Sequence, residues 1–208
     1  MWLADEFFLI ALDDRTGRPR LSPKVFGLGL AGALLGELLL DGLITVEGGH
    51  VLVVDHRPPV DALAHTILDQ IVSEVSPYGV RSWLVFLARD ATERVAERLS
   101  RAGHIRREQS RRMLRREAIY PPTDANTAHL PTARLATSLR NGRQVSWTDA
   151  VLLGLVMATG LDNLLLFPDD DAARGYLTHL IEHLTPSLHA LVWHVHAAVG
   201  DAVLTGRT

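Results

Sequence analysis

The sequence predicts a mainly α-helical fold, a single-domain helical bundle ringed by amphipathic helices, with one or two short β-hairpins. First, apolar residues recur at helical spacing in most segments of the 208-residue chain. Second, a long apolar stretch at residues 27–44 has the character of a buried central helix. Third, Gly and Pro clusters separate the segments, and no internal repeat is present. Residues 1–208 are therefore expected to form one domain.

The chain is expected to begin with a short amphipathic helix. Residues 1–12 carry apolar side chains at helical spacing, and Asp5 and Glu6 mark the polar side. The segment 13–19 that comes next is rich in Asp, Gly and Pro, which is typical of a loop.

The central helix has clear start and stop signals. Ser22 is placed as its N-cap and Pro23 as its first residue, and Gly42 is placed to end it in the left-handed conformation. Three glycines share one face through their i, i+3, i+7 spacing: Gly29, Gly32 and Gly36. Since each glycine costs about 0.8–1 kcal/mol relative to alanine in a helix, this face is expected to be closely approached by another backbone or a ligand.

The middle of the chain alternates between short elements. We predict a hairpin around Gly48-Gly49, a helix over residues 60–75, an apolar segment over 80–87, a charged helix over 89–102 and a hairpin or loop over 104–120.

The last third is predicted to be helical. Helices are expected over residues 130–139, 147–167, 172–184 and 186–204. Ser146 is placed to cap the second of these helices.

Composition excludes several function classes. Cysteine is absent, which excludes disulfides and thiolate chemistry and fits a reducing compartment. The apolar stretches at 27–44 and 151–167 both contain acids and fall short of the ~20 apolar residues of a membrane span. Residues 1–12 lack the basic start of a signal peptide. We therefore expect a cytoplasmic protein.

No motif in the chain indicates catalysis or a cofactor. Neither a Gly-x-Ser-x-Gly motif nor a P-loop is present, so the protein is not expected to be an enzyme or to hold a cofactor. His179 and His183 share a helix face beside Glu182, but the order is not that of a zinc protease and no third ligand is evident. These are interpreted as ordinary histidines, so no metal is expected.

Positive charge is concentrated in one part of the chain. The net charge is −3, yet seven arginines fall between residues 101 and 116, against Glu108 as the single acid. In the helix before them, Glu93 and Glu97 are expected to pair with Arg94, Arg98 and Arg101 on an exposed face. Guanidinium clusters bind phosphates on lipid headgroups or nucleic acid, while plain solubility is the alternative explanation.

Several motifs, in order along nearly the whole chain, resemble the Golgi phosphoprotein 3 family. They are DEFFLIALDD at residues 5–14, GLAGALLGEL at 29–38, DGLI at 41–44, the segment 89–103, and DAVLL opening the segment 149–167. The chain is shorter than the eukaryotic members and looks like a bacterial-type member. The resemblance implies a mostly helical peripheral membrane protein that binds phosphatidylinositol 4-phosphate. In eukaryotes it also implies retention of glycosyltransferases in the Golgi.

The resemblance also implies a headgroup pocket. The family builds it from a tryptophan before the second helix, an arginine in the Gly-Leu-x-Gly motif and two arginines opening a later helix. These positions fall here on Ser22, Ala31, Arg89 and Thr92, so Arg89 alone matches. Three further cations are candidates to supply replacement charge: Lys24, Arg20 and Arg18.

The family's apolar hairpin, which inserts into membrane or joins subunits, maps to about residues 105–118. Its tip at residues 109–112 is polar here, which favours electrostatic docking over apolar insertion. Six arginines make up this predicted membrane-facing basic hairpin: Arg106, Arg107, Arg111, Arg112, Arg115 and Arg116.

The leading hypothesis is therefore a peripheral protein that binds anionic membrane lipids and acts as an adaptor. A nucleic-acid-binding protein using the basic hairpin is one alternative, although specific recognition is not expected because no base-reading residues accompany the arginines. A scaffold that binds protein partners through its acidic C-terminal helices is the other. A protein partner or a homo-oligomer is expected in addition to the anionic lipids. A hydrolase is a distant further hypothesis, since no nucleophile and base pair stands out.

Overall fold

A computed structural model describes residues 1–112, 115–142, 144–167 and 170–205, with the side chains of residues 110–117 left undescribed. The described helices are α1 (Leu3–Ile10), α2 (Pro23–Leu40), α3 (Ala62–Val72), α4 (Val80–Leu87), α5 (Ala91–Arg101), α6 (Ala125–Arg140), α7 (Trp147–Ala158), α8 (Asp171–Glu182) and α9 (Pro186–Thr205). Two antiparallel hairpins join β1 (Ile44–Glu47) to β2 (His50–Val53) and β3 (Glu108–Arg112) to β4 (Arg115–Ile119). The predicted mainly α fold with short hairpins is confirmed.

The α2 helix forms the centre of the core. Its start is as predicted, with Pro23 at the first position and the Ser22 hydroxyl accepting a hydrogen bond from the Val25 amide at 3.5 Å. Residues 25–38 are all buried, and α2 contacts α1, α3, α4, α5, α7 and α9. Among the described helices it alone has the length and apolarity of a membrane span, yet 78% of that window is buried inside the protein. Such burial is typical of a core helix.

The glycine face of α2 is closely approached, but by side chains and not by the backbone or ligand that was expected. A β-carbon built on Gly29 would collide with the Phe7 ring, and one on Gly36 would lie 2.8 Å from a methyl group of Leu3. At Gly32 the contact is a Val195 methyl group at 2.5 Å. Since real β-carbons are not found so close to other atoms, these glycines let α1 and α9 pack directly on α2.

The turns that separate the elements also agree with the sequence. Gly42 ends α2 with a φ of 69°, as predicted. Gly48 and Gly49, with φ of 56° and 77°, form the two-residue turn between β1 and β2. The segment predicted as a hairpin or loop is a hairpin, whose register pairs Glu108 with Ile119.

Two C-terminal helices differ from their predicted extents. The helix expected over residues 147–167 ends at Ala158, because Gly160 turns left-handed with a φ of 75°. A 3₁₀ turn, Asp162–Leu164, comes after it. In contrast, α6 begins five residues before the predicted start at residue 130. Asp124 caps it there, accepting a hydrogen bond from the Thr127 amide at 3.0 Å.

The polar side predicted for the first helix is wrong. All eight residues of α1 are buried, including Asp5 and Glu6. Both acids therefore require partners inside the protein, and those partners are arginines from distant parts of the chain.

Candidate functional site

Three cations converge on one open cleft of about 370 Å³ between α2, α4 and α9. They are Lys24 on α2, Arg81 on α4 and Arg89 in the turn after α4, and the one acid that joins them is Asp201 on α9. The remaining lining is apolar or small: Leu28, Val85, Ala88, Ala198, Ala202 and Thr205. We call this the anion cleft.

The shape of the anion cleft depends on a glycine of α2. A β-carbon at Gly27 would lie 2.5 Å from the carbonyl oxygen of Ala88, so only glycine lets the end of α4 rest on α2 here. Lys24 lies one helical turn before Gly27, and Arg89 comes directly after Ala88. The same backbone contact therefore brings these two cations together.

The cations of the anion cleft are partly neutralised. Arg81 forms an ion pair with Asp201, and the Lys24 ammonium donates to the Thr205 hydroxyl at 3.2 Å. Arg89 is exposed and has no ion pair with any residue the structure describes. Three cations against one carboxylate leave the cleft positive, with the Arg89 guanidinium free to donate.

The structure does not bring Arg20 or Arg18 into the anion cleft. Arg20 donates to the Leu12 carbonyl at 2.9 Å and lies 3.6 and 3.7 Å from the carboxylates of Asp13 and Asp14. Its side chain lines a different cavity, beside α6. Arg18 is half-buried in the same turn and is absent from the lining of the cleft.

The basic hairpin is more neutralised at its base than the sequence indicates. Arg106 lies 3.8 Å from Glu108, and Arg107 forms an ion pair with Glu93, which reaches it from α5. At the other end, the backbone register places four arginines opposite one another, in the pairs Arg111 with Arg116 and Arg112 with Arg115. The side chains of these four lie outside the described part of the structure. The expectation that residues 109–112 form the tip is wrong, because they belong to the paired strand β3.

A separate cluster of charges is buried between α1, α2, α3 and α5, and we call it the Arg98 cluster. The Arg98 guanidinium donates to Asp5 at 2.8 Å, to Asp61 at 2.8 Å and to both oxygens of Glu37 at 3.0 and 3.2 Å. Its side chain is only 12% exposed. The expectation that Arg98 pairs with neighbouring acids on an exposed face is therefore wrong.

The Arg98 cluster shifts the acidity of its members. Burial raises the pKa of Glu37 to about 6, although Arg98 and the Ala4 amide act in the opposite direction. Burial likewise raises the pKa of Asp5 above its usual value. Burial alone lowers the pKa of Arg98, but Glu37, Asp5 and Asp61 together raise it, so the guanidinium stays charged. These groups join four elements and do not line the anion cleft.

A comparison of the chain with models of protein families shows which family it belongs to. The family model described as Golgi phosphoprotein 3 (GPP34) matches residues 3–203. The chain belongs to the Golgi phosphoprotein 3 family. The resemblance found in the motifs is thus confirmed, and the match includes the three cations of the anion cleft, the Arg98 cluster and both hairpins. A comparison with curated proteins finds no match to this chain.

In this Golgi phosphoprotein 3 family member, three positions of the family's headgroup pocket have other roles. Ser22 caps α2, Ala31 is fully buried in α2 and Thr92 is half-buried in α5. None of the three lines the anion cleft. Arg81, which the sequence analysis did not select, lines it instead. No local pattern marked Arg81, because Arg89 comes after the end of α4 and the two arginines do not share one helix.

The histidines of the His-x-x-Glu-His run interact with each other and with the backbone. The rings of His179 and His183 lie 3.9 Å apart, and His183 Nδ1 is 2.8 Å from the His179 carbonyl oxygen. Within the described ranges, no group of three or more His, Cys, Asp or Glu side chains is placed to hold a metal ion.

Proposed function

We propose that this Golgi phosphoprotein 3 family member is a peripheral membrane protein that binds phosphorylated lipid headgroups in the anion cleft. The observation that carries the proposal is the convergence of Lys24, Arg81 and Arg89 from separate elements on one open cleft. Charges that serve only solubility would be expected to be dispersed over the surface and not to meet at one cleft.

The donors of the anion cleft suit a phosphate group. A guanidinium offers a planar pair of N–H donors that matches two phosphate oxygens, and Arg89 has these donors free. Lys24, which lines the same cleft, adds a point charge. Because the Arg81–Asp201 pair neutralises itself, we assign the main attraction to Lys24 and Arg89 and a supporting role to Arg81.

The basic hairpin supplies a second, diffuse attraction in this proposal. Its register gathers four arginines near the turn, and each arginine near an anionic bilayer contributes about 1 kcal/mol. Headgroup binding in the cleft and surface attraction at the hairpin would then act together. Phosphatidylinositol 4-phosphate is the ligand that the family resemblance implies. Because three family pocket positions differ here, we propose binding of phosphorylated headgroups as a class, without catalysis.

Liposome flotation tests the proposal directly. We expect co-flotation with vesicles containing phosphatidylinositol 4-phosphate, weaker binding to phosphatidylserine vesicles of matched total charge, and little binding to neutral vesicles. The variants Arg89→Gln and Lys24→Gln should each weaken binding by roughly fivefold. Arg101→Gln serves as the matched control, because Arg101 is an exposed arginine paired with Glu97 outside the cleft.

Two outcomes contradict the proposal. Equal binding to neutral and anionic vesicles, unaffected by salt, would exclude electrostatic headgroup binding. Binding to duplex DNA with a steep salt dependence, in the absence of vesicle binding, would favour the nucleic-acid alternative.

A further inference from the structure

A second small cavity, of about 210 Å³, lies on another face of α4. It is lined by Tyr78, Trp83 and Phe86, together with Glu74 and Ser82. We call the three aromatic residues and Glu74 the aromatic cage. None of these residues lines the anion cleft, to which α4 presents Arg81 and Val85 instead. The cage is therefore a separate site.

The rings of Tyr78 and Phe86 are each close to perpendicular to the indole of Trp83. The indole of Trp83 lies 6.3 Å from the ring of Tyr78 at an angle of 89°, and 5.7 Å from that of Phe86 at 86°. Trp83 is 4% exposed, whereas Tyr78 and Phe86 are 50% and 44% exposed. Two exposed rings thus stand perpendicular to a buried one, and all three border the same space.

The charged group of the aromatic cage is the carboxylate of Glu74. The exposed Glu74 carboxylate forms no ion pair with the residues that the structure describes. An unpaired carboxylate therefore lies beside neighbouring exposed aromatic side chains, and contiguous apolar surface rimmed by polar groups marks binding sites.

We propose that the aromatic cage binds a quaternary ammonium group, such as the trimethylammonium of choline. The faces of aromatic rings are negative, so they attract a cation that lies within about 6 Å of the ring centre. The methyl groups of a quaternary ammonium ion need no hydrogen-bond acceptors, whereas a lysine ammonium has three donors to satisfy. Glu74 adds a full negative charge at the site. The cation can come from a soluble choline-type molecule or from a phosphatidylcholine headgroup.

Titration with tetramethylammonium chloride, followed through the tryptophan indole N–H resonances of the full chain, tests the site. The chain has four tryptophans. Only the Trp83 signal should shift saturably, and the variant Trp83→Phe should identify it by its disappearance. Sodium chloride and the uncharged isostere 3,3-dimethylbutan-1-ol are the matched probe controls. Neither should reproduce the shift.

Variants separate the aromatic cage from a general apolar cavity. Phe86→Leu and Glu74→Gln should each weaken tetramethylammonium binding about fivefold, because each removes one attraction for the cation. Trp147→Leu, which removes an exposed aromatic residue outside the cage, should not change it. Arg89→Gln should also leave it unchanged, so failure of headgroup binding in the anion cleft and failure of cation binding in the cage are distinguishable.

Vesicles then identify the source of the cation. A preference for phosphatidylcholine over phosphatidylethanolamine vesicles that is lost in Phe86→Leu assigns the cage to lipid. Saturable tetramethylammonium binding with no such preference assigns it to soluble cations. Equal affinity for the uncharged isostere, or unchanged affinity in both Phe86→Leu and Glu74→Gln with folding intact by circular dichroism, overturns the proposal.

Discussion

At the residue scale, the main electrostatic feature of the fold is the dependence of two buried carboxylates, Asp5 and Glu37, and the half-buried Asp61 on Arg98. Burying an ionised carboxylate costs several kcal/mol unless hydrogen bonds and an opposite charge compensate it. Arginine suits this position because its planar fork of donors reaches Asp5, Glu37 and Asp61 at once. Arg134 plays a similar role for Glu6, donating to its carboxylate at 2.6 Å and to Asp149 at 2.7 Å.

Removal of Arg98 should strongly destabilise the protein. Arg98→Ala leaves the buried carboxylates without their cation, and we expect a loss of about 3–5 kcal/mol in the free energy of unfolding. Urea denaturation followed by circular dichroism measures this loss. If the alanine variant does not fold, Arg98→Lys, which keeps the charge but loses the fork, should still fold with a smaller loss.

The exposed Arg101→Ala is the control for that measurement. It removes an ion pair with Glu97 on the surface and should change the free energy of unfolding by less than about 1 kcal/mol. Similar losses at both positions would contradict the importance assigned to burial.

The pKa of Glu37 predicts how stability depends on pH. Its pKa is higher in the folded protein, at about 6, than the usual value of 4.5. The stability contributed by protonating Glu37 is therefore fully present below pH 4.5 and is lost as the pH rises through about 6. This difference between the two pKa values corresponds to roughly 2 kcal/mol in the free energy of unfolding.

We therefore expect the Glu37→Gln variant to depend less on pH between 7 and 5 than the parent protein. Burial raises the pKa of Asp5 as well, which acts in the same direction. Melting temperatures at several pH values in this interval measure the difference. A parent and a variant with identical pH dependence would show that Glu37 does not titrate as described.

Arg98 could not be identified from local spacing, because its partners lie 93, 61 and 37 residues away. Within α5, Arg98 has charged neighbours at helical spacing, which suggest a series of ion pairs on an exposed face. A different signal was present in the sequence: Glu37 interrupts an otherwise apolar helix. An acid in a core helix requires a buried cation, although the sequence does not say which arginine supplies it.

At the element scale, Gly27 links the packing of α2 to the anion cleft. Gly27→Ala would gain helix propensity but place a methyl group against the backbone of Ala88, which cannot move as a side chain can. We expect a net loss of about 1–3 kcal/mol in the free energy of unfolding, together with weaker headgroup binding.

Gly175→Ala is the matched control for Gly27→Ala. Gly175 lies inside α8, and a β-carbon there would meet nothing within 4 Å. This substitution should stabilise the protein by up to about 1 kcal/mol and leave vesicle binding unchanged. Urea denaturation and flotation of both variants check the contrast. If Gly27→Ala changes neither the free energy of unfolding nor vesicle binding, the close contact with Ala88 is not required.

Helix boundaries agreed with the sequence where capping residues define them and differed where apolar composition was the guide. Ser22, Gly42 and Ser146 mark observed ends of helices. The apolar residues after Gly160 suggested a continuing helix, but the left-handed glycine ends α7 even though apolar residues come after it. For predicting where a helix ends, a glycine stop signal is therefore a better guide than an apolar run.

At the scale of the whole molecule, the buried side chains form one core that includes residues from α1 to α9. Because α2 contacts helices from both ends of the chain, no large segment retains its core without the others. We expect one calorimetric unfolding transition with equal calorimetric and van't Hoff enthalpies. Two separable transitions in differential scanning calorimetry would contradict the prediction of a single domain.

The anion cleft was partly predictable from the sequence. Lys24 and Arg89 were selected through the family motif and nearby charge, and the structure places them together. Arg81 and Asp201 were missed, since the approach of α9 to α4 depends on long-range packing that no local pattern encodes. Arg20 lies close to Lys24 in sequence, yet the turn before α2 directs it toward Asp13 and Asp14.

The Arg98 cluster also affects the order in which the chain can fold during synthesis. The carboxylates of α1, α2 and the start of α3 leave the ribosome before the arginine that neutralises them. Until Arg98 has emerged, closing α1 onto α2 would bury Asp5 and Glu37 without a cation, at a cost of several kcal/mol. The N-terminal helices are therefore expected to remain open until α5 has been synthesised, and only then to dock around it.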